Sequence, residues 1–350
     1  MSKKTLLGMT LAELGEVAAA AGLKPYAARQ MARWLYVGNA RSIDEMTDLP
    51  LSARQRLSME YSVGLMAPCE QVRSKDGTEK YLFPTASGKC VETVFIPDKE
   101  RATLCVSSQV GCRMNCLFCQ TGKQGWEGNL TPGDILNQIY ALPNRTSLTN
   151  IVFMGQGEPL DNIDNVLKSV NIITADYGMA WSPKRVTVST VGVKGKLKRL
   201  LDESKCHVAV SLHTPFARQR AMLMPAEKSM PIAESVRLLR QYSFTHQRRL
   251  SFEYIVFSGL NDTAEHARAL TSLLKGIECR INLIRFHEIP GVDLHPADDD
   301  TMIGFRDFLT SHGLFTTIRA SRGQDIFAAC GLLYTKEQAQ TGKRQSKHSL

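Results

Sequence analysis

The chain has 350 residues, 43% hydrophobic and 22% charged, with a formal charge of +9 and an isoelectric point of about 9.1. This excludes a disordered or low-complexity polypeptide and suits one large α/β domain with a small accessory unit, while the positive charge favours a polyanionic partner such as RNA. No apolar run approaches a membrane span, Glu13 interrupts the stretch after Met1-Ser2-Lys3-Lys4, and the 9 cysteines are an odd number, so neither a secretory signal nor a disulfide framework is read and a cytoplasmic setting is expected.

Residues 1–68 read as a helical accessory domain. Apolar residues recur at helical spacing from Leu11 to Ala21, Gly22 suits a C-cap, and Pro25 opens a second helix through Met31, Trp34 and Leu35. Arg29, Arg33 and Arg41 on it suit either phosphate contact or a solvated face. Residues 69–101 form a β-rich extension, with strands at 80–83 and 91–96, a further strand at 102–106, and turns at Asp76-Gly77, Ser87-Gly88 and Pro97-Asp98. The core, 102–333, alternates strand and helix. Strands are expected at 150–154, 185–190, 206–211, 250–257, 279–286 and 315–319, with helices at 131–141, 161–176, 194–201, 232–242, 263–275 and 299–312 between them. Repeated β-then-α units imply a parallel sheet whose function gathers at the carboxyl ends of the strands. A basic tail, 334–350, with Lys343, Arg344, Lys347 and His348, is expected to be disordered.

Three cysteines, Cys112, Cys116 and Cys119, follow one strand at Cys-x3-Cys-x2-Cys spacing. Three thiolates leave one position of a four-iron cluster open for chemistry. A structural zinc site would need a fourth Cys or His at recognisable spacing, and none is nearby. Met154-Gly155-Gln156-Gly157-Glu158-Pro159 ends another strand; its glycines let a ligand approach the backbone and Glu158 can accept from an ammonium, although a plain turn explains the motif too. Ser189, Ser211, Leu212 and His213 lie at later strand ends, where serines either bind ligand or cap turns. His287 follows the strand at 281–286, where a histidine is more often structural. Glu92 and Glu253 sit in apolar strands, where a carboxylate can simply face solvent; if Glu92 is buried, its pKa should rise and it could serve as a general base. Cys105 and Cys330 are either buried small hydrophobes or, if they meet, a reactive pair. Lys184, Arg185, Lys194, Lys196, Lys198 and Arg199 form an acid-free run, a solvated face or a phosphate track.

The cysteine triplet resembles that of the radical S-adenosylmethionine (SAM) superfamily. Taken in order, Cys105-Val106-Ser107-Ser108-Gln109-Val110-Gly111-Cys112, the Gly157-Glu158-Pro159 turn, Ser211-Leu212-His213 and Ala328-Ala329-Cys330-Gly331 resemble the dual-specificity RNA adenine C2-methyltransferases, the RlmN-type family. The resemblance covers everything but the tail. It implies an α/β fold: a partial (β/α)6 radical SAM barrel with extra β-strands and an N-terminal helical accessory domain. It implies a [4Fe-4S] cluster on Cys112, Cys116 and Cys119, and two SAM molecules per turnover, with Gly157, Glu158, Ser189, Ser211, Leu212, His213 and His287 as cofactor-binding residues. Substrates would be an adenosine in the peptidyl-transferase centre of 23S rRNA and the adenosine 3′ to the anticodon of tRNA. Carbon 2 of adenine is electrophilic, so the methyl group would travel through an S-methylcysteine at Cys330, with Glu92 as proton acceptor and Cys105 resolving the RNA adduct through a transient disulfide. A flavodoxin-type electron donor, a monomer and no membrane contact go with it. A related C8-methylating, Cfr-type enzyme shares these motifs. One departure is visible: His287-Glu288 stands where the family often has an Asn-Pro context, and Gln156 where it usually has methionine.

Overall fold

The computed structural model describes residues 3–246 and 248–334. The chain opens with β1 (Lys4–Thr5), α1 (Leu11–Ala20), α2 (Ala27–Ala32), which runs on into a π-type turn at Arg33–Val37, α3 (Leu51–Glu60) and β2 (Tyr61–Ser62), which pairs with β1. Thr10 and Glu13 form a reciprocal capping box that starts α1. The helix ends on Ala21, with Gly22 one residue further at φ 69°. These helices bury Leu14, Met31, Leu35 and Tyr36 in an apolar cluster continuous with that of the barrel. Gly8 marks where they dock. Its φ is 92°, and a Cβ there would lie 2.4 Å from the backbone nitrogen of Gly133.

Next come β3 (Glu70–Arg73), β4 (Glu79–Pro84), β5 (Cys90–Asp98) and β6 (Arg101–Cys105), consecutive antiparallel neighbours. A hairpin of β7 (Gln109–Gly111) and β8 (Trp126–Asn129) encloses α4 (Gln120–Gln124). From there strand and helix alternate: α5 (Pro132–Tyr140), β9 (Asn150–Phe153), α6 (Ile163–Thr174), β10 (Val186–Thr190), α7 (Lys196–Glu203), β11 (His207–Ser211), α8 (Ala217–Leu223), α9 (Ile232–Leu239), β12 (Leu250–Val256), α10 (Ala264–Leu274), β13 (Arg280–Arg285), α11 (Asp299–Ser311) and β14 (Thr316–Ile318). One sheet of 10 strands runs β14-β13-β12-β11-β10-β9-β6-β5-β4-β3. It is parallel from β6 to β14 and does not close, because β14 and β6 do not pair. The expected partial barrel with added antiparallel strands is what forms.

In β12 every residue is buried, for two reasons. Leu250, Phe252, Tyr254 and Val256 join the apolar layer under the helices, while Ser251 and Glu253 line the lumen. The barrel is thus oily outside and polar within. Several elements were invisible in the sequence. All four residues of β3 are exposed, so no alternation announces it. The short β7–β8 hairpin and α8 carry too few apolar positions to set a period, and the helix expected at 194–201 sits two residues later, as α7. The basic tail expected at Lys343, Arg344, Lys347 and His348 lies outside the described residues. Among the described residues no helix is long and apolar enough to cross a membrane.

Candidate active site

The cysteine loop hangs between β7 and α4. Gly111, at φ 70°, lets the Cys112 amide reach the Gly125 carbonyl at 3.0 Å. Further along, the Leu117 amide donates to the Leu223 carbonyl at 2.8 Å and that of Cys119 to the Cys116 carbonyl at 3.2 Å. Phe118 anchors the loop, 4.7 Å edge-on to the His213 ring and 5.8 Å from that of Phe257. Burial pushes the Cys112 thiol up to about 12 and that of Cys116 well above its ordinary range, and the neighbouring loop thiols push in the same direction. Among the described residues no three His, Cys, Asp or Glu side chains converge on a point that one metal ion would fill. Three soft thiols that feel each other without converging suit separate irons of one cluster better than a single tetrahedral zinc.

Glu158 is buried at the end of β9. Gly157, at φ 96°, allows the approach, since a Cβ there would lie 2.5 Å from that of Gln109. The Glu158 carboxylate accepts from Thr190 Oγ1 at 2.6 Å, Val191 N at 3.0 Å and Leu160 N at 2.9 Å. Burial still raises its pKa to about 7, against those hydrogen bonds. Gln156 turns inward, accepting from the Glu92 amide at 3.1 Å, away from the cysteine loop's cavity. His213 is buried in a left-handed conformation at φ 58°. Its Nδ1 accepts from the Ile255 amide at 3.0 Å, so its Nε2–H is what remains for a ligand. Burial and the Arg220 charge lower its pKa to about 3. The backbone of Leu212 is already paired, with Glu253 and Arg220. Ser189 and Ser211 are half-buried at the ends of β10 and β11.

A cavity of about 360 Å³ occupies the seam between β6 and the residues after β14. It brings together Cys105, Cys119, Cys330, His287 and Arg319. Cys105 is 8% exposed and Cys330 is open, and both thiols are free. Burial pushes Cys105 up to about 12, Cys330 adds to that, and Arg319 opposes it. His287 sits at the rim, with Nε2 3.0 Å from Ser321 Oγ. Glu92, Glu158, Ser189, Ser211 and His213 lie outside this cavity. Glu92 is fully buried, 2.9 Å from Lys80 Nζ, and accepts from the Tyr334 amide at 2.8 Å. Burial raises its pKa and Lys80 opposes the rise.

The segment carrying Cys330 is strapped down along its length. Gly323 donates to Asp76 at 2.9 Å, Ser74 to Asp325 at 2.5 Å, the Gln120 amide to the Gly331 carbonyl at 2.7 Å and Thr121 to the Leu333 carbonyl at 2.8 Å.

Residues 106–270 match the radical SAM superfamily, and residues 4–63 match the ribosomal RNA large subunit methyltransferase N-terminal domain. A probable dual-specificity RNA methyltransferase RlmN of Bacteroides thetaiotaomicron is 60% identical over 98% of this chain and 99% of its own length. The chain belongs to the RlmN family of radical SAM methyltransferases. A dual-specificity RNA methyltransferase RlmN of Syntrophus aciditrophicus is 39% identical over 96% of this chain and 98% of its own. The crystal structure of a radical SAM methyltransferase from Sphaerobacter thermophilus superposes with a TM-score of 0.89 at 38% identity, over 95% of this chain and 99% of that one.

The family implies a four-iron cluster and SAM, and the donor set fits both: three soft thiols on one loop, beside strand ends that offer polar groups. Sequence reasoning missed three members of the site, namely Thr190, Arg220 and Arg319. Arg319 is the most telling. Burial works against its charge, yet the Cys330 and Cys105 thiols and the Glu253 carboxylate raise its pKa overall. Its position just past a three-residue strand gave no pattern to find it by. Arg220, fully buried on α8, pairs with Glu227 and donates to the carbonyls of Leu212, Val191 and Ser211.

Proposed function

We propose that this protein methylates carbon 2 of adenosine in RNA, in the peptidyl-transferase centre of 23S rRNA and 3′ to the anticodon of tRNA, by way of a methyl group carried on Cys330. The observation that carries the reading is the meeting of Cys105 and Cys330 in one cavity with Cys119 of the cysteine loop. A methyltransferase that only passed a methyl group from SAM to a nucleophile would need neither extra thiol. The names of the relatives supply the RNA.

Cys112, Cys116 and Cys119 would hold the cluster, and Gly157, Glu158, Ser189, Ser211, Leu212, His213 and His287 would surround SAM. Together cluster and SAM supply one-electron chemistry that removes a hydrogen atom, with the electron coming from a flavodoxin-type donor in the cytoplasm. The Cys330 thiolate first takes a methyl cation equivalent from one SAM, forming an S–C bond as the sulfonium S–C bond breaks; a second SAM is consumed in activating that methyl group. Joining the carbon to C2 leaves an unpaired electron on the ring; aromaticity returns as one electron leaves, which the cluster would take back, and as Glu92 accepts the C2 proton, with Lys80 holding the charge. Cys105 then attacks Cys330 Sγ. The S–S bond forms, the Cys330 S–C bond breaks, and the departing carbon keeps the electron pair and takes a proton to complete the methyl group. External thiol reduces the disulfide. The base must leave its stack to reach the cavity.

The test is Cys105→Ala, isolated from cells. The expected product is RNA bonded to Cys330, located by mass spectrometry of the digest. An intact cluster with RNA present and no adduct would sink the resolving role of Cys105. Nucleoside analysis of RNA from wild-type reactions should give 2-methyladenosine; 8-methyladenosine would replace the regiochemistry with that of a Cfr-type enzyme.

A further inference from the structure

A second cavity, about 730 Å³, opens at the opposite end of the barrel from the cysteine loop. The amino ends of the parallel strands build it. Lys184 precedes β10, His207 begins β11, Arg249 precedes β12, Arg280 begins β13 and Phe315 precedes β14. Arg248 is the one buried arginine of the lining, 7% exposed, with Nη1 on the Leu201 carbonyl at 2.9 Å. Its Nε and Nη2 are buried without a hydrogen-bond partner among the described residues. Arg101, Lys184, Arg248, Arg249 and Arg280 make no ion pair within 4.0 Å among the described residues, and Glu278 is the one acid in the lining. Burial together with Arg249, Lys184, Arg248 and Arg280 drives the His207 pKa down to about 4, so the cations act on one point. Buried guanidinium nitrogens without a hydrogen-bond partner are costly, and Asp202 acts on Arg248 only through space.

Two further features say what kind of anion belongs there. The cavity shares Arg101, Thr103, Val152 and Arg319 with the one that holds Cys105 and Cys330, so the two meet along the seam. Phe315 is 54% exposed at the basic mouth, with the Arg280 guanidinium 5.0 Å over its ring. A flat aromatic surface beside clustered cations is the pairing that single-stranded nucleic acid uses, base on ring and phosphate on guanidinium. A free inorganic anion would have no use for the ring.

We propose that this chamber is a phosphate site for the RNA backbone flanking the nucleotide inserted at Cys330, with Phe315 stacking a neighbouring base. The proposal rests on the RNA reading above and deepens it. Arg248 is the fixed buried anchor, Arg249 and Arg280 are the exposed clamps, and Arg319 stands where the phosphate cavity meets the thiol cavity.

The experiment measures binding of a fluorescein-labelled anticodon stem-loop RNA to cluster-loaded full-length protein by anisotropy, across a salt series. Arg249→Gln with Arg280→Gln is the test variant, because both side chains are exposed and the fold does not depend on them. Binding should weaken about tenfold, and the slope of log affinity on log salt should fall by about 1.4–1.8, the counterion release of two phosphates. Arg268→Gln with Lys275→Gln, an equal loss of charge on the outer helix α10 and its C-cap, should leave the slope within about 0.5 of wild type, which separates a site from net charge. Phe315→Ala should weaken binding with the salt slope unchanged. If the wild type binds RNA and the Arg249/Arg280 variant matches it in affinity and slope, the chamber is not the phosphate site and the RNA reading survives. If the wild type binds no RNA, the RNA reading itself fails and takes the chamber's role with it. If inorganic phosphate binds tightly by calorimetry while RNA binding ignores the variant, the chamber serves a free anion and the assignment is overturned.

Discussion

At the scale of single residues, buried polar side chains here do structural and chemical work at once. His213 accepts from the Ile255 amide while it presses on Phe118 of the cysteine loop. Its pKa is lowered in the fold, so the unfolded chain binds more protons between pH 6.5 and about 3. The stability it supports is therefore complete above pH 6.5 and is lost as pH falls toward 3. His213→Ala should leave the Ile255 amide unpaired, cost about 1–3 kcal/mol in urea unfolding at neutral pH, and flatten the acid limb of the stability curve. Arg319 makes a different prediction. It opposes the burial that keeps Cys105 protonated and also faces Cys330. Arg319→Met should slow S-methylation of Cys330 about tenfold or more, read by intact mass after incubation with SAM, while iron content stays at the wild-type level. The cysteine triplet, the glycine turn and the two separated thiols were legible in the sequence because chemistry fixes their residue types and order. Arg319, Thr190 and Arg220 were not, since an arginine that meets a thiol only in three dimensions leaves no periodic mark. Glu92 was legible only as a carboxylate in an apolar strand, solvent-facing or buried, and its partners Lys80 and Tyr334 come from β4 and from the far end of the described chain.

At the scale of elements, α8 shows how a short helix can organise strand ends. Arg220 reaches out of it to three carbonyls on and just past β10 and β11, and Glu227 neutralises it. Arg220→Met removes those donors and strands a buried carboxylate. A loss of about 3–5 kcal/mol is expected in thermal or denaturant unfolding, with part recovered by adding Glu227→Gln. If the single variant unfolds like wild type, the clamp is ornamental. This helix was unreadable in advance because its buried face pairs one apolar residue, Leu223, with a charged one, Arg220. The alternating units were readable because the outer faces of their strands are uniformly apolar. β12 conceals two lumen-facing polar residues, and a sequence window cannot tell lumen from solvent.

At the scale of the whole molecule, the far end of the described chain is tied to the antiparallel strands and the turn between them. The strap from Gly323 to Tyr334 is received by Asp76, Ser74 and Glu92, which lie more than 240 residues earlier. Asp76→Asn with Asp325→Asn should loosen it, with faster amide hydrogen exchange across 323–334 and faster alkylation of Cys330 while the barrel strands keep their protection. An unchanged exchange pattern would show that the barrel contacts alone hold the strap. The strap also has a bearing on how the protein is born. A ribosome makes a chain in one direction, so the strands that receive the strap and the loop of three thiols leave the exit tunnel long before Cys330 is made. For most of its synthesis the nascent protein has a cysteine loop that lacks its cover and a methyl carrier that does not yet exist. Iron delivered during that interval meets an open door, and the strap at 323–334, made only after the whole barrel, is what shuts it.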